Sequence, residues 1–217
     1  MPRSPAHPSS FVPALGVPWL TGAYDAVTAT FFPEQRVKER VLDLALVAPG
    51  DRVLDLGCGT GTLAVMAALR GADVVGVDAD AAMLERARPK IAGLPVRLVQ
   101  GLTTEVELPE GAFDVVVSSL VFHHLQPGVK LETLRRARRW LRPGGRVAIA
   151  DWSRPRTRVM GLLFTGVRAL DGFALTHDVL DDGVPRSLRE SGFGDVREVD
   201  TISTVAGNLS WWTAHAP

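Results

Sequence analysis

RVLDLGCGTGTLAV, residues 52–65, runs from an apolar stretch into three glycines within five positions and then into a helical pattern. The apolar run predicts a strand that ends at Leu56, and the helix begins near Thr62. The loop Gly57–Gly61 therefore falls at the carboxyl edge of a strand, where open parallel sheets place their ligands. Gly57 and Gly59 allow backbone conformations and a close approach that a side chain would obstruct.

Working outward, Pro33 opens a helix that runs to about Val47, with Val37, Val41 and Leu44 at helical spacing, and APGD ends it. Downstream, short apolar runs alternate with helical stretches. RVLDL precedes a helix over 62–69, DVVGVD precedes one over 81–87, and VRLVQ leads into a polar connection. FDVVVSS is followed by a helix with Leu131, Leu134 and Trp140 or Leu141 facing inward, and then by GRVAIADW. Five such strands with crossovers predict a mostly parallel sheet covered on both faces. Two further strands, near 195–200 and 208–214, predict an antiparallel hairpin at its edge. Residues 1–34 read as a tail that covers a site, and 35–217 as the domain. Residues 153–180, Arg-rich and then apolar, read as a lid, an additional helix or a long crossover.

At 217 residues, 46% of them apolar, the chain has enough material for one sizeable core. Its 24 basic and 24 acidic residues balance, which argues against a broad nucleic-acid footprint, and RRARRW at 135–140 reads as a solvated helix face. Cys58 is the single cysteine, so no internal disulfide forms and a reducing compartment suits the chain. Prolines break the N-terminal MPRSPAHPSSFVPALG before a signal-like core develops. Arg168 and Asp171 interrupt the longest membrane-like run. The expectation is a cytoplasmic protein without an integral membrane segment.

The ligand is narrowed by spacing and charge. A dinucleotide fold asks for G-x-G-x-x-G, but Thr62 stands where the third glycine would fall. Asp55, two residues before the first glycine, would repel a diphosphate and attract an ammonium group. Asp78 ends the second strand 21 residues after Gly57, where a carboxylate accepts two hydrogen bonds from a ribose diol. A nucleoside that carries a cationic amine satisfies both.

VLDLGCGTG at 53–61, VVGVDAD at 74–80, FDVVVSSLVFHHL at 113–125 and LRPGGRVAIADW at 141–152 resemble the motifs of class I S-adenosylmethionine-dependent methyltransferases. Within that class they are similar to the small-molecule group that includes the ubiquinone and menaquinone biosynthesis methyltransferases. The resemblance implies a Rossmann-like fold and S-adenosylmethionine as cofactor. It places Asp55, Gly57 and Gly59 at the methionine part, Asp78 at the ribose, Ala79 beside the adenine and Ser118 at the methionine end. Tyr24 resembles the aromatic residue that an N-terminal segment folds over the cofactor. One position departs from the pattern: Leu102 stands where an acidic residue usually meets the adenine amine, so either Thr103 or a backbone carbonyl takes that contact.

For the chemistry, the sequence offers His123 and His124 after the fourth strand, Asp151 after the fifth, and His177 within 153–180. Adjacent residues rarely serve one site equally, and His123 is favoured as the base that faces the acceptor. No Cys and His cluster predicts a metal. The acceptor is expected to be a small molecule, apolar or aromatic, held by residues such as Trp19, Phe31, Phe32 and Phe164, with O- or C-methylation both open. A methyltransferase-like binding subunit without activity and an NAD-dependent oxidoreductase are the competing readings. The chain is read as a monomer or homodimer, a dimer forming through the edge hairpin, where Trp211 and Trp212 alternate in direction so that one is exposed.

Overall fold

The computed structural model describes residues 34–154, 182–204 and 207–217. Helix α1 (Glu34–Leu44) is followed by β1 (Arg52–Leu56), α2 (Thr62–Leu69), β2 (Asp73–Asp78), α3 (Ala81–Ile91), β3 (Val96–Gln100) and β4 (Phe113–Ser119). A single turn of tighter helix over Phe122–His124 leads into α4 (Pro127–Trp140) and β5 (Leu141–Ser153). After the residues outside the description come α5 (Gly183–Glu190), β6 (Gly194–Thr204) and β7 (Gly207–His215).

The seven strands form one sheet in the order β3-β2-β1-β4-β5-β7-β6. The first five run parallel, and β7 inserts antiparallel between β5 and β6. The chain reverses its direction of travel across the sheet between β1 and β4. Their register, Val53 on Val115 and Asp55 on Val117, sets the loops after both strands side by side.

Alternation along the strands sends side chains to two apolar layers. Leu54, Leu56, Val116 and Ile149 pack with Leu134 and Trp140 of α4 and Leu188 of α5. Val53, Val115, Val117 and Ala148 pack with Val37 and Val41 of α1 and Leu63 and Ala67 of α2. The expected alternation of the two tryptophans holds, but their expected exposure does not. Trp212 enters the first layer and Trp211 the second, each about 3% exposed. Helices cover both faces here, so neither indole is left for a partner surface. Trp211 also donates its indole N–H to the Val37 carbonyl at 3.2 Å, which ties β7 to α1.

Element limits differ from expectation where local chemistry intervenes. Helix α1 stops at Leu44 rather than Val47, because Leu46 turns left-handed at φ +53° and the Val47 N–H returns to the Leu42 carbonyl at 3.0 Å. That closure satisfies a carbonyl at the helix end. Helix α3 continues past Ala87, through Pro89, to Ile91. The hairpin strands are longer than expected, since β6 and β7 pair over Thr204–Gly207 through Gly194–His215. Among the described residues, no helix is long and apolar enough to cross a membrane.

Trp211→Phe keeps the ring in the core but removes the bond to Val37. It is expected to lower unfolding stability by about 1 kcal/mol, measured by urea denaturation, with cofactor affinity unchanged.

Candidate active site at the carboxyl edge of the sheet

Three left-handed glycines build the loop after β1: Gly57 at φ +70°, Gly59 at +50° and Gly61 at +76°. The N–H groups of Gly57 and Cys58 both reach the Val77 carbonyl, at 2.8 and 3.0 Å, so the loop is anchored to the end of β2. A methyl group on Gly57 would stand 2.5 Å from Val121 Cγ2, whereas Gly59 faces open space. The two glycines therefore do different work. At Gly57 the chain's own loop after β4 fills the approach, and at Gly59 the backbone is left bare for a ligand.

Two carboxylates flank this loop. Asp78 accepts the Gly59 N–H at 2.7 Å and the Asp80 N–H at 2.9 Å, one on each oxygen, and is only partly buried. It orders the loop and keeps lone pairs on both oxygens for a diol. Asp55 is 1% exposed on the α1–α2 face, and its Oδ2 has no hydrogen-bond partner. Burial pushes its pKa up to about 7, Lys38 on α1 pulls it down, Asp78 adds to the rise, and the Ala64 N–H opposes it. Ser119, at the end of β4, has a buried hydroxyl that also lacks a partner. By strand alternation it shares the Asp55 face, two residues beyond the Val117 that pairs with Asp55. Two orphaned acceptors beside a bare glycine backbone fit an ammonium-bearing ligand, because a native chain rarely buries unsatisfied polar atoms without a partner to come. The residues present thus fit the methionine end of S-adenosylmethionine.

Across the edge, the loop after β4 folds over the end of β5. The fully buried Asp151 accepts the N–H of Phe122 at 2.6 Å, that of His123 at 3.3 Å and that of Trp152 at 2.7 Å. His123 Nδ1 lies 2.7 Å from Asp151 Oδ1, with the imidazole 19% exposed. Burial alone would raise the Asp151 pKa. The charge and hydrogen bond of His123, the Trp152 N–H and the charge of Lys130 outweigh it and hold the carboxyl below its ordinary value. In the neutral ring, Nδ1–H donates to the ionised Asp151, which leaves Nε2 with the free lone pair. His124 lies against His123, ring centroids 3.8 Å apart, but is exposed to solvent. The surrounding protein and His123 push its pKa down, and solvent exposure limits that effect.

His123 opens onto a small cavity of about 10 Å³, room for about one water, lined among others by Lys130, Trp152, Ser153 and Trp212. Lys130 is 1% exposed, a buried lysine that sequence reading passed over. Its signal is the stripe Lys130, Leu134, Ala137, in which a cation occupies a core position of α4. Of the two serines that end β4, the sequence reading named Ser118 for the methionine end and passed over Ser119. Ser118 donates its hydroxyl to the Leu56 carbonyl at 2.8 Å and clamps β4 to β1, while Ser119 is the unpartnered neighbour.

The other expected residues fall in three places. Ala79 is half-buried between Asp78 and Asp80, the residue that caps α3. Thr103 shares a 2.7 Å hydrogen bond with Thr133 of α4, so its hydroxyl already has a protein partner. Tyr24, His177, the aromatic residues of the acceptor pocket and nearly all of the 153–180 segment lie outside the described residues. Cys58 is buried, and burial with Asp55 and Asp78 nearby pushes its thiol far up, which makes it a filler rather than a nucleophile. Among the described residues, no group of three or more His, Cys, Asp or Glu could hold a metal.

This geometry matches a known class. Residues 53–145 match the model of a methyltransferase domain family. A demethylmenaquinone methyltransferase from Thermus thermophilus is 37% identical over 139 residues, which make up 62% of this chain and 62% of that one. The chain spans about 60% of the length of the curated relatives it matches. Among solved structures, a SAM-dependent methyltransferase from Aquifex aeolicus has a TM-score of 0.64 at 20% identity, covering 89% of this chain and 98% of that one. The cyclase SpnF has a TM-score of 0.67 at 18% identity, covering 84% and 80%. Likeness at this identity establishes the fold alone, and activity has to be argued from the site.

Asp78→Ala removes the acceptor of two loop N–H groups and the expected ribose contact together. Calorimetric affinity for S-adenosylhomocysteine is expected to fall at least tenfold, about 1.4 kcal/mol. Affinity equal to the parent protein's would remove Asp78 from the site.

Proposed function

We propose that this chain transfers the methyl group of S-adenosylmethionine to an ionisable hydroxyl of a small, apolar or aromatic acceptor, with His123 as the general base and Asp151 as the residue that positions it. The observation that carries this reading is the His123–Asp151 pair at 2.7 Å, one loop away from the glycine turn. C-methylation of an activated aromatic ring is the neighbouring reading within the same chemistry. The similarity to the Thermus thermophilus demethylmenaquinone methyltransferase supports an apolar, quinone-related acceptor class.

When bound, S-adenosylmethionine supplies a methyl carbon already activated by a sulfonium, so the protein need not activate the donor. Asp55 and Ser119 would hold its amino end, Asp78 its ribose, and the bare Gly59 backbone would let it lie close. His123 Nε2 takes the acceptor's hydroxyl proton as the oxygen approaches the methyl carbon. The transfer would balance with the electron pair of the carbon–sulfur bond left on sulfur, giving methylated acceptor, S-adenosylhomocysteine and the His123 imidazolium. Asp151 stabilises that imidazolium through the Nδ1 bond it already makes. Orientation of the two reactants supplies a large part of the acceleration, and the base adds a factor of about 10² to 10⁴.

The test is methyl transfer to a panel of phenols and hydroquinones, with polar amines as the contrast set. His123→Gln and Asp151→Asn are expected to lower kcat by about 10² or more while S-adenosylhomocysteine affinity stays within twofold. His124→Ala should remain near the parent rate. Turnover by His123→Gln equal to the parent's, or transfer only to amines, would overturn the reading.

A further inference from the structure

The mechanism uses Asp55 as an anion, yet the described surroundings do not favour one. Its side chain is 1% exposed and lies on the face shared with Val53 and Val117, and Oδ2 has no partner. From α2 it receives the Ala64 N–H, and from β2 it faces a second carboxylate, Asp78. From the glycine loop comes only the Cys58 thiol, which stays neutral. β4 contributes Val117 and Ser119, and no charge. The described cation that acts on Asp55 is Lys38 of α1, whose ammonium already pairs with Glu34 at 2.5 Å. A buried carboxylate with so few donors and a like charge nearby is more stable as the neutral acid.

We propose that Asp55 is protonated while the site is empty, and that the arrival of a cationic α-amino group between Asp55 and Ser119 drives that proton into solvent. This rests on the reading of the glycine loop as the S-adenosylmethionine cleft. Binding is then an exchange of one cation for another at a site that disfavours a bare anion below about pH 7. Burial raises the empty-state value from 3.8 to about 7, which sets the pH window. Below it, binding releases close to one proton, and affinity rises toward tenfold per pH unit. Above it, release fades and affinity levels off, until the ligand's own amino group loses its proton above about pH 8 and affinity falls.

The same linkage acts on folding, with a definite sign. Between pH 3.8 and about 7 the folded chain holds a proton that the unfolded chain has lost, so stability falls as pH rises through that range. Asp55→Asn, which removes the ionisation, should therefore be at least as stable as the parent protein near pH 8.

Titration calorimetry of the full chain with S-adenosylhomocysteine tests this, run at about pH 6 and about pH 8 in pairs of buffers with different ionisation heats. The expected result is release approaching one proton at the lower pH and little at the higher. 5′-Methylthioadenosine, which has the nucleoside and sulfur but no amino group, should bind with no release at either pH. Asp55→Asn should bind S-adenosylhomocysteine weakly, without release. Binding of S-adenosylhomocysteine at the lower pH with no proton released overturns the proposal and leaves the cofactor site standing. No binding at either pH by folded protein overturns both. If the Asn variant fails to fold, the stability argument fails with it, and the comparison of the two ligands on the parent protein still decides the linkage.

Discussion

Strands β1 and β4 pair in parallel although about sixty residues separate them, and the whole reactive edge depends on that pairing. The register of Asp55 on Val117 brings the glycine loop and the histidine loop to the same crevice. Two contacts then fasten the loops to each other. Ser118 donates to the Leu56 carbonyl at the last residue of β1, and Val121 packs where Gly57 has no side chain. A larger residue at Gly57 would collide with Val121 and strain a left-handed backbone, so the first glycine of the motif serves the protein's own packing as much as a ligand. Reversal of strand order at this point also opens the crevice, because the chain leaves the two strands in opposite directions.

Much of this was legible in the sequence, and the legible part has a common character. The glycine loop, the parallel strands and the limits of α2 follow from local pattern, since an apolar run, a glycine cluster and a helical stripe are each written within about ten residues. The carboxylates at strand ends were legible for the same reason. Side-chain partnerships across the sheet were not. Nothing near His123 in sequence says that Asp151 will accept its Nδ1 proton, because the parallel β4–β5 register supplies that contact. Likewise Ser118 and Ser119 are equivalent on paper, and only strand alternation sends one to Leu56 and leaves the other unpartnered. The edge tryptophans were misjudged for a related reason. Their burial depends on α1 and the α4–α5 pair covering opposite faces, which a strand pattern alone does not report.

The two acidic groups at the crevice illustrate opposite ways of burying a carboxylate. Asp151 is surrounded by donors, three main-chain N–H groups and an imidazole, and burial strengthens those bonds enough to keep it ionised. Asp55 is surrounded by strand and helix apolar groups and is left one oxygen short. The first arrangement is complete within the chain and makes a rigid support. The second is incomplete, and burial raises its pKa to about 7, so the acid is favoured below that pH unless an outside cation arrives. Local rules of polar satisfaction are broken at one of these sites and kept at the other, and the broken one is the site the proposal gives to the ligand.

The same contrast separates the two histidines. His123 and His124 stack on each other, yet only His123 reaches Asp151, and only His123 lines the cavity beside Lys130 and Trp152. The short helical turn over Phe122–His124 produces this difference, because the main-chain N–H groups of Phe122 and His123 aim at Asp151 and fix the orientation of the ring that follows. In the proposed role of base, a ring held this way would need no reorganisation on taking a proton, since Asp151 is already bonded to it. His124, exposed and without a carboxylate partner among the described residues, has no such preparation. The chemistry of the edge is thus decided by which side chain the fold completes in advance, and which it leaves for the ligand to complete.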